Sequence, residues 1–339
     1  MANATSLTSS QKADIIRFSL YTVEGVALIL ANGLILYATL FHRALRSQKE
    51  YVILASLALC DGLSGLGAIT AGPYRIALIL TNRSQVTVSR RDCFFTPFNL
   101  CWVLAFPMQG LILLLLSVDR FLAVWKPLRY LKFTVNYAWI MVGLAYTFGM
   151  FCWTLGGATV WMKNKPEKGI VALCITKWSL LDAFYQFIYE VQLGGIYSSI
   201  LLYILVLVLY RRQNVVGVGN RAKSRQLLKQ RKLTKSLAIS CVFTFIFFAV
   251  PNSIIWLAAL LNYQFYTIVQ YAYIINNINP FLNIFIYVRR HPEIRKGIAT
   301  AVCCKIMPPT LAMWPGLNSH SSNPRKNEIN AYQKSSSAL

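Results

Sequence analysis

Acidic residues are scarce in this chain. Its 339 residues hold 11 aspartates and glutamates against 34 lysines and arginines, and only 13% of the chain is charged. Soluble domains carry about 25% charged and about 45–50% apolar residues, whereas 56% of this chain is apolar. That shortage excludes an ordinary water-facing surface. Histidine is rarer still. His42, His291 and His320 all fall outside the apolar blocks, without metal-ligand spacing, and no nucleophile–base pair shares one face, which removes the usual enzyme chemistries. Also missing are an internal repeat, a low-complexity tract beyond the polar tail, and, in the opening "MANATSLTSSQKAD", any basic n-region with a cleavage pattern. Without repeated halves, a transporter or channel is the weaker alternative. The net charge of +23 does not point to nucleic acid, because the basic residues lie between apolar blocks and not in a patch with exposed aromatics.

What the chain has is seven long apolar blocks, at 16–41, 51–74, 94–118, 136–161, 183–210, 236–261 and 265–288. Each reaches the roughly 20 residues that a helix needs to cross hydrocarbon. None alternates as a strand would. The expected fold class is therefore an all-α membrane protein, a seven-transmembrane helix bundle. Residues 1–15 would form an outer tail, 16–290 the bundle, 291–304 a short amphipathic cytoplasmic helix and 305–339 an inner tail. The first span would act as its own insertion signal.

Orientation follows from the basic residues. With the N-terminus outside, 24 lysines and arginines face inward and 10 face outward, in the sense that translocation favours. Two sequons, Asn3-Ala4-Thr5 and Asn82-Arg83-Ser84, then fall outside and predict N-glycosylation at Asn3 and Asn82. Cys60, Cys101, Cys152 and Cys241 lie within spans as small apolar filler, while Cys93 and Cys174 alone meet an oxidising compartment, where a disulfide would tie the second outer loop over the bundle. Cys303 and Cys304 fall inside, beside the membrane, and suit palmitoylation.

The stretch "LLSVDRFLAVWKPLRY" places Asp119 and Arg120 just where an apolar run ends, at the inner water boundary, where a long side chain can snorkel. "DRFLAVWKPL" resembles the third-span motif of rhodopsin-like G protein-coupled receptors. The likeness extends through "ANGLILY" with Asn32, "SLALCD" with Leu57 and Asp61, "FTFIFFAVP" with Phe245 and Pro251, and "NPFLNIFIY" with Asn279 and Pro280. "RRHPEIRKGIATAVCC" then reads as a helix lying on the inner leaflet, with Ile294, Ile298 and Val302 as its apolar stripe.

The resemblance implies a receptor that binds an extracellular ligand and activates a heterotrimeric G protein at the plasma membrane. Arg120, released from Asp119, would contact the G protein, and Leu128, after Pro127, would insert into it. Asn32, Asp61, Asn279, Pro280, Asn283 and Tyr287 would form the activation cluster, with a sodium ion near Asp61. No other cofactor is implied, and membrane lipids are the remaining partner. Independently, a lone carboxylate in mid-membrane such as Asp61 is either a functional site or part of a structural hydrogen-bond network.

Departures accompany the likeness. The tyrosine expected three residues after Pro280 is Asn283, with Tyr287 one turn later, and Ala249 replaces the tryptophan expected before Pro251. Span 5 lacks proline, and "KQRKLTK" at 229–235 lacks an acid to restrain Arg120, which predicts appreciable basal signalling. With Cys93 27 residues before Arg120, and with "KEYVILASLALCDGLSGLGAITAGPYR" at 49–75, the chain also looks like divergent nematode serpentine chemoreceptors.

Trp102 stands where amine receptors place an aspartate, eighteen residues before Arg120, and Tyr273 stands where opsins carry their retinal lysine. A monoamine would lack its counter-ion, and a retinal Schiff base is excluded. Helical spacing points Trp102 and Phe106, Gln186 and Glu190, Asn252 and Trp256, and Gln270 and Tyr273 into the outer half of the bundle. Glu190 would meet either a cationic ligand group or a neighbouring glutamine or tyrosine. Such a lining suits an odorant-like small molecule or a peptide end, with an orphan neuropeptide receptor as the alternative.

Overall fold

The computed structural model describes residues 7–162, 169–215, 239–261, 266–290 and 292–302. Seven long helices run through them: α1 (Ser9–Phe41), α2 (Lys49–Leu80), α3 (Pro97–Trp125), α4 (Val135–Met162), α5 (Asp182–Val215), α6 (Ile239–Leu260) and α7 (Tyr266–Arg290). A shorter α8 (Pro292–Val302) follows. Even α6, at 22 residues, is about 33 Å long, enough for a hydrocarbon layer of about 30 Å.

The bundle turns its greasy side chains outward. Leu30, Ile140, Leu144 and Leu201 are each about two-thirds exposed, the inverse of a soluble helix bundle and the expected face toward lipid. Inside, lipid-like packing offers little driving force between helices, so close backbone approach and polar pairs hold them. A Cβ on Gly25 would lie 2.6 Å from the Ile69 backbone nitrogen, and one on Gly110 would lie 2.4 Å from the Gln192 carbonyl oxygen. These two glycines let α1 meet α2 and α3 meet α5.

Among the described residues six helices are long and apolar enough to span a membrane by composition; α7 is too polar to count with them. Its amides explain both facts. Gln270 accepts from the Tyr21 hydroxyl of α1, and Asn277 donates to Glu24 of α1 at 2.9 Å. On the other side Asn276 accepts from Asn252 at 2.9 Å, Asn279 from Thr244 at 3.2 Å, and Asn283 from Ser240, all on α6. Groups too costly to leave unpaired in hydrocarbon fasten α7 between its neighbours.

The helices outrun the apolar blocks that announced them. α1 starts at Ser9, not residue 16, because Thr8 caps it: Gln11 N donates to Thr8 Oγ1 at 3.3 Å and Thr8 N to Gln11 Oε1 at 2.9 Å. The polar tail is thereby partly helical. α2 continues past 74 to Leu80 with Pro73 inside it, and α3 begins at Pro97, after a separate turn Arg90–Phe94, and runs on to Trp125. Apolar runs mark the part of a helix in hydrocarbon; backbone hydrogen bonding carries it further.

In α6 the turn Phe245–Ala249 is widened, and Val250 N–H donates five residues back to Phe245 O. Pro251 follows at once. Proline supplies no donor and crowds the carbonyl four residues before it, so the loosened turn absorbs the misfit.

At one end of the bundle, β1 (Thr87–Val88) pairs antiparallel with β2 (Ile170–Val171), Thr87 opposite Val171. The expected Cys93–Cys174 disulfide is present beside it, with Cα atoms 5.0 Å apart. Asn99 Nδ2 donates to the carbonyls of both cysteines, at 2.8 and 3.1 Å, fixing the loop on the start of α3. At the other end α8 packs on α1: Ile294 is buried, Arg295 and Lys296 are exposed, and His42 Nε2 lies 3.4 Å from Gly297 O. That helix is amphipathic as expected. Asn3, Cys303, Cys304 and the stretch 229–235 lie outside the described residues.

Candidate functional site

Beneath the disulfide loop a cavity opens between α1, α2, α3 and α7, with about 640 Å³ free of protein atoms, mouth included. Of the residues expected to line a ligand site, Trp102, Phe106, Gln270 and Tyr273 line this cavity. Trp102 Nε1 donates to Ser64 O at 3.2 Å, and Phe106 sits edge-on to Tyr189 with ring centroids 5.5 Å apart.

The other four do not line it. Tyr185 and Tyr189 occupy the inward face of α5 and reach Tyr273 Oη at 3.2 and 2.8 Å, closing the α5 side of the cavity. Gln186 and Glu190, one position on, are rotated by about 100° about the helix axis. Gln186 is half-buried, and Glu190 is exposed on the outward face, which corrects its expected inward aim. On α6, Asn252 is buried and its amide donates to Phe248 O at 2.8 Å and to Asn276 Oδ1 at 2.9 Å. Trp256 packs against the aromatic cluster of Phe106 and Tyr189, and its Nε1 has no hydrogen-bond partner among the described residues.

Sequence reasoning missed the residues that fill the vacated places. Tyr21, Arg75, Gln109 and Asn276 all line the cavity. An amide deep within the third apolar block, as Gln109 is, was the available signal. Arg75, one of the ten outward-facing basic residues by sequence, gave no such signal.

Below the cavity, Asp61 is buried and accepts from Gln109 Nε2 at 3.0 Å; the same nitrogen donates to Ser64 Oγ at 3.1 Å. Gln192 Nε2 in turn reaches Gln109 Oε1 at 3.4 Å. Asn32 donates to its own helix at Leu28 O, and Asn279 takes the Thr244 hydroxyl. Asn32, Asp61 and Asn279 are thus all buried, each with a separate partner. The Asp61 carboxylate, the Ser64 hydroxyl and the Gln109 carboxamide are the oxygen-bearing groups that would hold a sodium ion here; as arranged, an amide N–H meets Asp61 Oδ1.

At the opposite end of α3, Asp119 and Arg120 are fully buried and salt-bridged to each other. This corrects the expected snorkelling: the helix continues past them, and Tyr130 folds over the pair. Arg120 Nη2 donates to Tyr130 Oη at 3.0 Å, and that hydroxyl donates to Asp119 Oδ1 and Oδ2 at 3.1 Å. Burial pushes the Tyr130 phenol well above its ordinary pKa, so it stays a proton donor. Lys49 Nζ bonds Tyr130 O at 2.6 Å and lies 3.5 Å from its ring centre, locking the tyrosine in place. Glu50 of α2 approaches Arg120 Nη2 to 4.0 Å. An acidic restraint from another helix therefore exists, on α2 and not after α5. Arg120 Nη1 has no hydrogen-bond partner among the described residues. Pro127 and Leu128 open the short turn Pro127–Tyr130.

A spanning bundle with a roofed cavity at one end and a buried arginine–carboxylate cluster at the other defines a membrane signal receptor. The family model described as "7 transmembrane receptor (rhodopsin family)" matches residues 31–287, and the chain belongs to that family. It is similar to trace amine-associated receptor 9 of Mus musculus, at 26% identity covering 86% of both chains. It is likewise similar to trace amine-associated receptor 6 of Pan troglodytes (27% identity, 86% of this chain and 87% of the relative) and to olfactory receptor 4K17 of Homo sapiens (25%, 85% and 89%). The protein is a G protein-coupled receptor for an extracellular ligand.

Proposed function

We propose that the disulfide end of the bundle faces the exterior of the cell, that the cavity beneath it takes a small odorant-like molecule, and that the Arg120 end faces the cytoplasm and meets the heterotrimeric G protein. The observation that carries this reading is that one helix, α3, bears both sites: Trp102 and Gln109 at the cavity and Arg120 at the opposite end. The bias of lysine and arginine supports the orientation. So does Asn82, exposed beyond the end of α2 near the disulfide loop, where a glycan has room. A cavity roofed by a covalently held loop favours a small molecule over a peptide.

In this reading a ligand that prefers the open state shifts the equilibrium by its differential affinity for that state. The loosened turn before Pro251 and the proline of α7, Pro280, are where the helices give. The amide strip of α7, with Asn279, Asn283 and the buried Tyr287, exchanges partners. Arg120 leaves Asp119 and Tyr130, and Nη1 gains an acceptor on the G protein while Leu128 docks beside it. Cys303 and Cys304 take palmitate, and Asn3 and Asn82 carry glycans at the plasma membrane.

The test joins topology to coupling. Cells expressing the wild type with a promiscuous G protein are compared with Asn82→Gln and Arg120→Ala. Asn82→Gln should lose one glycosidase-sensitive mass step, and Arg120→Ala should reach the surface but lose signalling. Full signalling by Arg120→Ala would remove Arg120 from the coupling role, and protease access from outside to residues 211–235 would reverse the orientation.

A further inference from the structure

One hydrogen-bond donor in the cavity lining is oriented by its neighbours and left unused. Asn252 Nδ2 donates to Phe248 O at 2.8 Å and to Asn276 Oδ1 at 2.9 Å. A backbone carbonyl only accepts, so Phe248 O fixes which way the Asn252 amide points, and Asn252 in turn fixes Asn276. The oxygen of Asn276 is held toward α6, and its Nδ2 turns away from that contact. Asn276 is 8% exposed and lines the cavity, yet Nδ2 has no hydrogen-bond partner among the described residues. Other donors on the same wall are engaged. Trp102 Nε1 donates to Ser64 O at 3.2 Å, Gln109 Nε2 donates to Asp61 Oδ1 at 3.0 Å, and Tyr273 Oη is shared by Tyr185 and Tyr189. Neither ionisable group nearby turns a free face to the cavity. Arg75 is bonded to the loop carbonyls of Leu173 and Cys174, and Asp61 stands behind Gln109, outside the lining.

We infer that this receptor recognises a small neutral carbonyl compound, a ketone, aldehyde or ester, whose oxygen accepts a hydrogen bond from Asn276 Nδ2. The inference rests on the cavity being the ligand site. A buried N–H without an acceptor is costly, and a carbonyl oxygen supplies the acceptor. Such a ligand brings no N–H or O–H of its own to leave unpaired. An ammonium group would present donors to a donor. A carboxylate would give up its water for one uncharged amide, with the guanidinium already held by the loop. The apolar remainder of the ligand lies against Trp102, Phe106 and Phe248, which line the same cavity.

The test reads thermal stabilisation of purified full-length receptor by acetophenone, isopropylbenzene, α-methylbenzylamine and benzoate. Acetophenone should stabilise saturably. Isopropylbenzene, the same outline without the oxygen, should need a roughly tenfold higher half-saturating concentration, as an unmet buried donor implies. The amine and benzoate should have no effect. Asn276→Leu should erase the preference for acetophenone while leaving the weaker effect of isopropylbenzene in place, whereas a merely structural role would weaken both alike. Asn276→Ala is the fallback where leucine does not fold, and should show the same loss of preference. Ala68→Phe narrows the cavity and should abolish stabilisation by both neutral probes. A ketone preference undiminished in the Asn276 variants, equal effects of the two neutral probes, or stabilisation by the amine, by benzoate or by none of the probes would overturn the inference. Stabilisation by acetophenone that survives Ala68→Phe would instead remove the cavity as the ligand site, the reading on which the inference depends.

Discussion

The phenol oxygen of Tyr130 lies 3.0 Å from Arg120 Nη2 and 3.1 Å from each carboxylate oxygen of Asp119, so one hydroxyl closes over the buried ion pair. With Glu50 4.0 Å away, these contacts replace the restraint that the basic stretch at 229–235 cannot provide.

Removing the hydroxyl should loosen the resting state. Tyr130→Phe keeps the ring and the Lys49 contact while deleting bonds to Arg120 and Asp119. A loss of about 1 kcal/mol on the resting side shifts the population roughly fivefold. Basal second messenger in unliganded cells should rise accordingly over wild type at equal surface expression, and Glu50→Gln should give a smaller rise. Unchanged basal output in both variants would remove the restraint.

Gln109 holds the buried Asp61. Gln109→Leu leaves Asp61 Oδ1 without its donor and should cost about 1–3 kcal/mol, read as a lower Tm in detergent. The double variant with Asp61→Asn should lose less than the sum of the two single changes, because both act on one bond.

The α3–α5 crossing is closed by small residues, and its tolerance should be sharply local. Gly110→Ala and Gly195→Ala each drive a methyl into opposing backbone, at 2.4 and 2.5 Å, and should destabilise by about 1–3 kcal/mol. Gly194→Ala meets nothing within 4 Å and should be neutral or stabilising by up to about 1 kcal/mol. Thermal unfolding of the three variants side by side checks the contrast.

Cys93→Ser or Cys174→Ser opens a link spanning 81 residues. Loop-closure entropy puts the loss at about 4.5 kcal/mol. Either variant should show a marked fall in surface expression and in Tm, and the double variant should be no worse than either alone.

The seven helices, the disulfide and the position of the arginine–aspartate pair were legible in the sequence, because hydrophobic length, cysteine placement and a local motif each leave a one-dimensional trace. The face that a side chain presents was less legible. Gln186 and Glu190 share a helix face by spacing, yet Tyr185 and Tyr189, one residue earlier, take the inward position. Periodicity fixes which residues travel together and not the rotation of the helix about its axis.

By itself the sequence determined that this chain is a spanning bundle with a charged pair near one end of its third helix. Only the tertiary structure decided that Asp119 and Arg120 are sealed beneath Tyr130, that Arg75 turns inward to line the cavity, and that the amides of α7 divide between α1 and α6. The reason is physical. Burial in lipid is a property of a segment and can be read from its composition, whereas the pairing of a polar group depends on which distant helix brings a partner within about 3 Å.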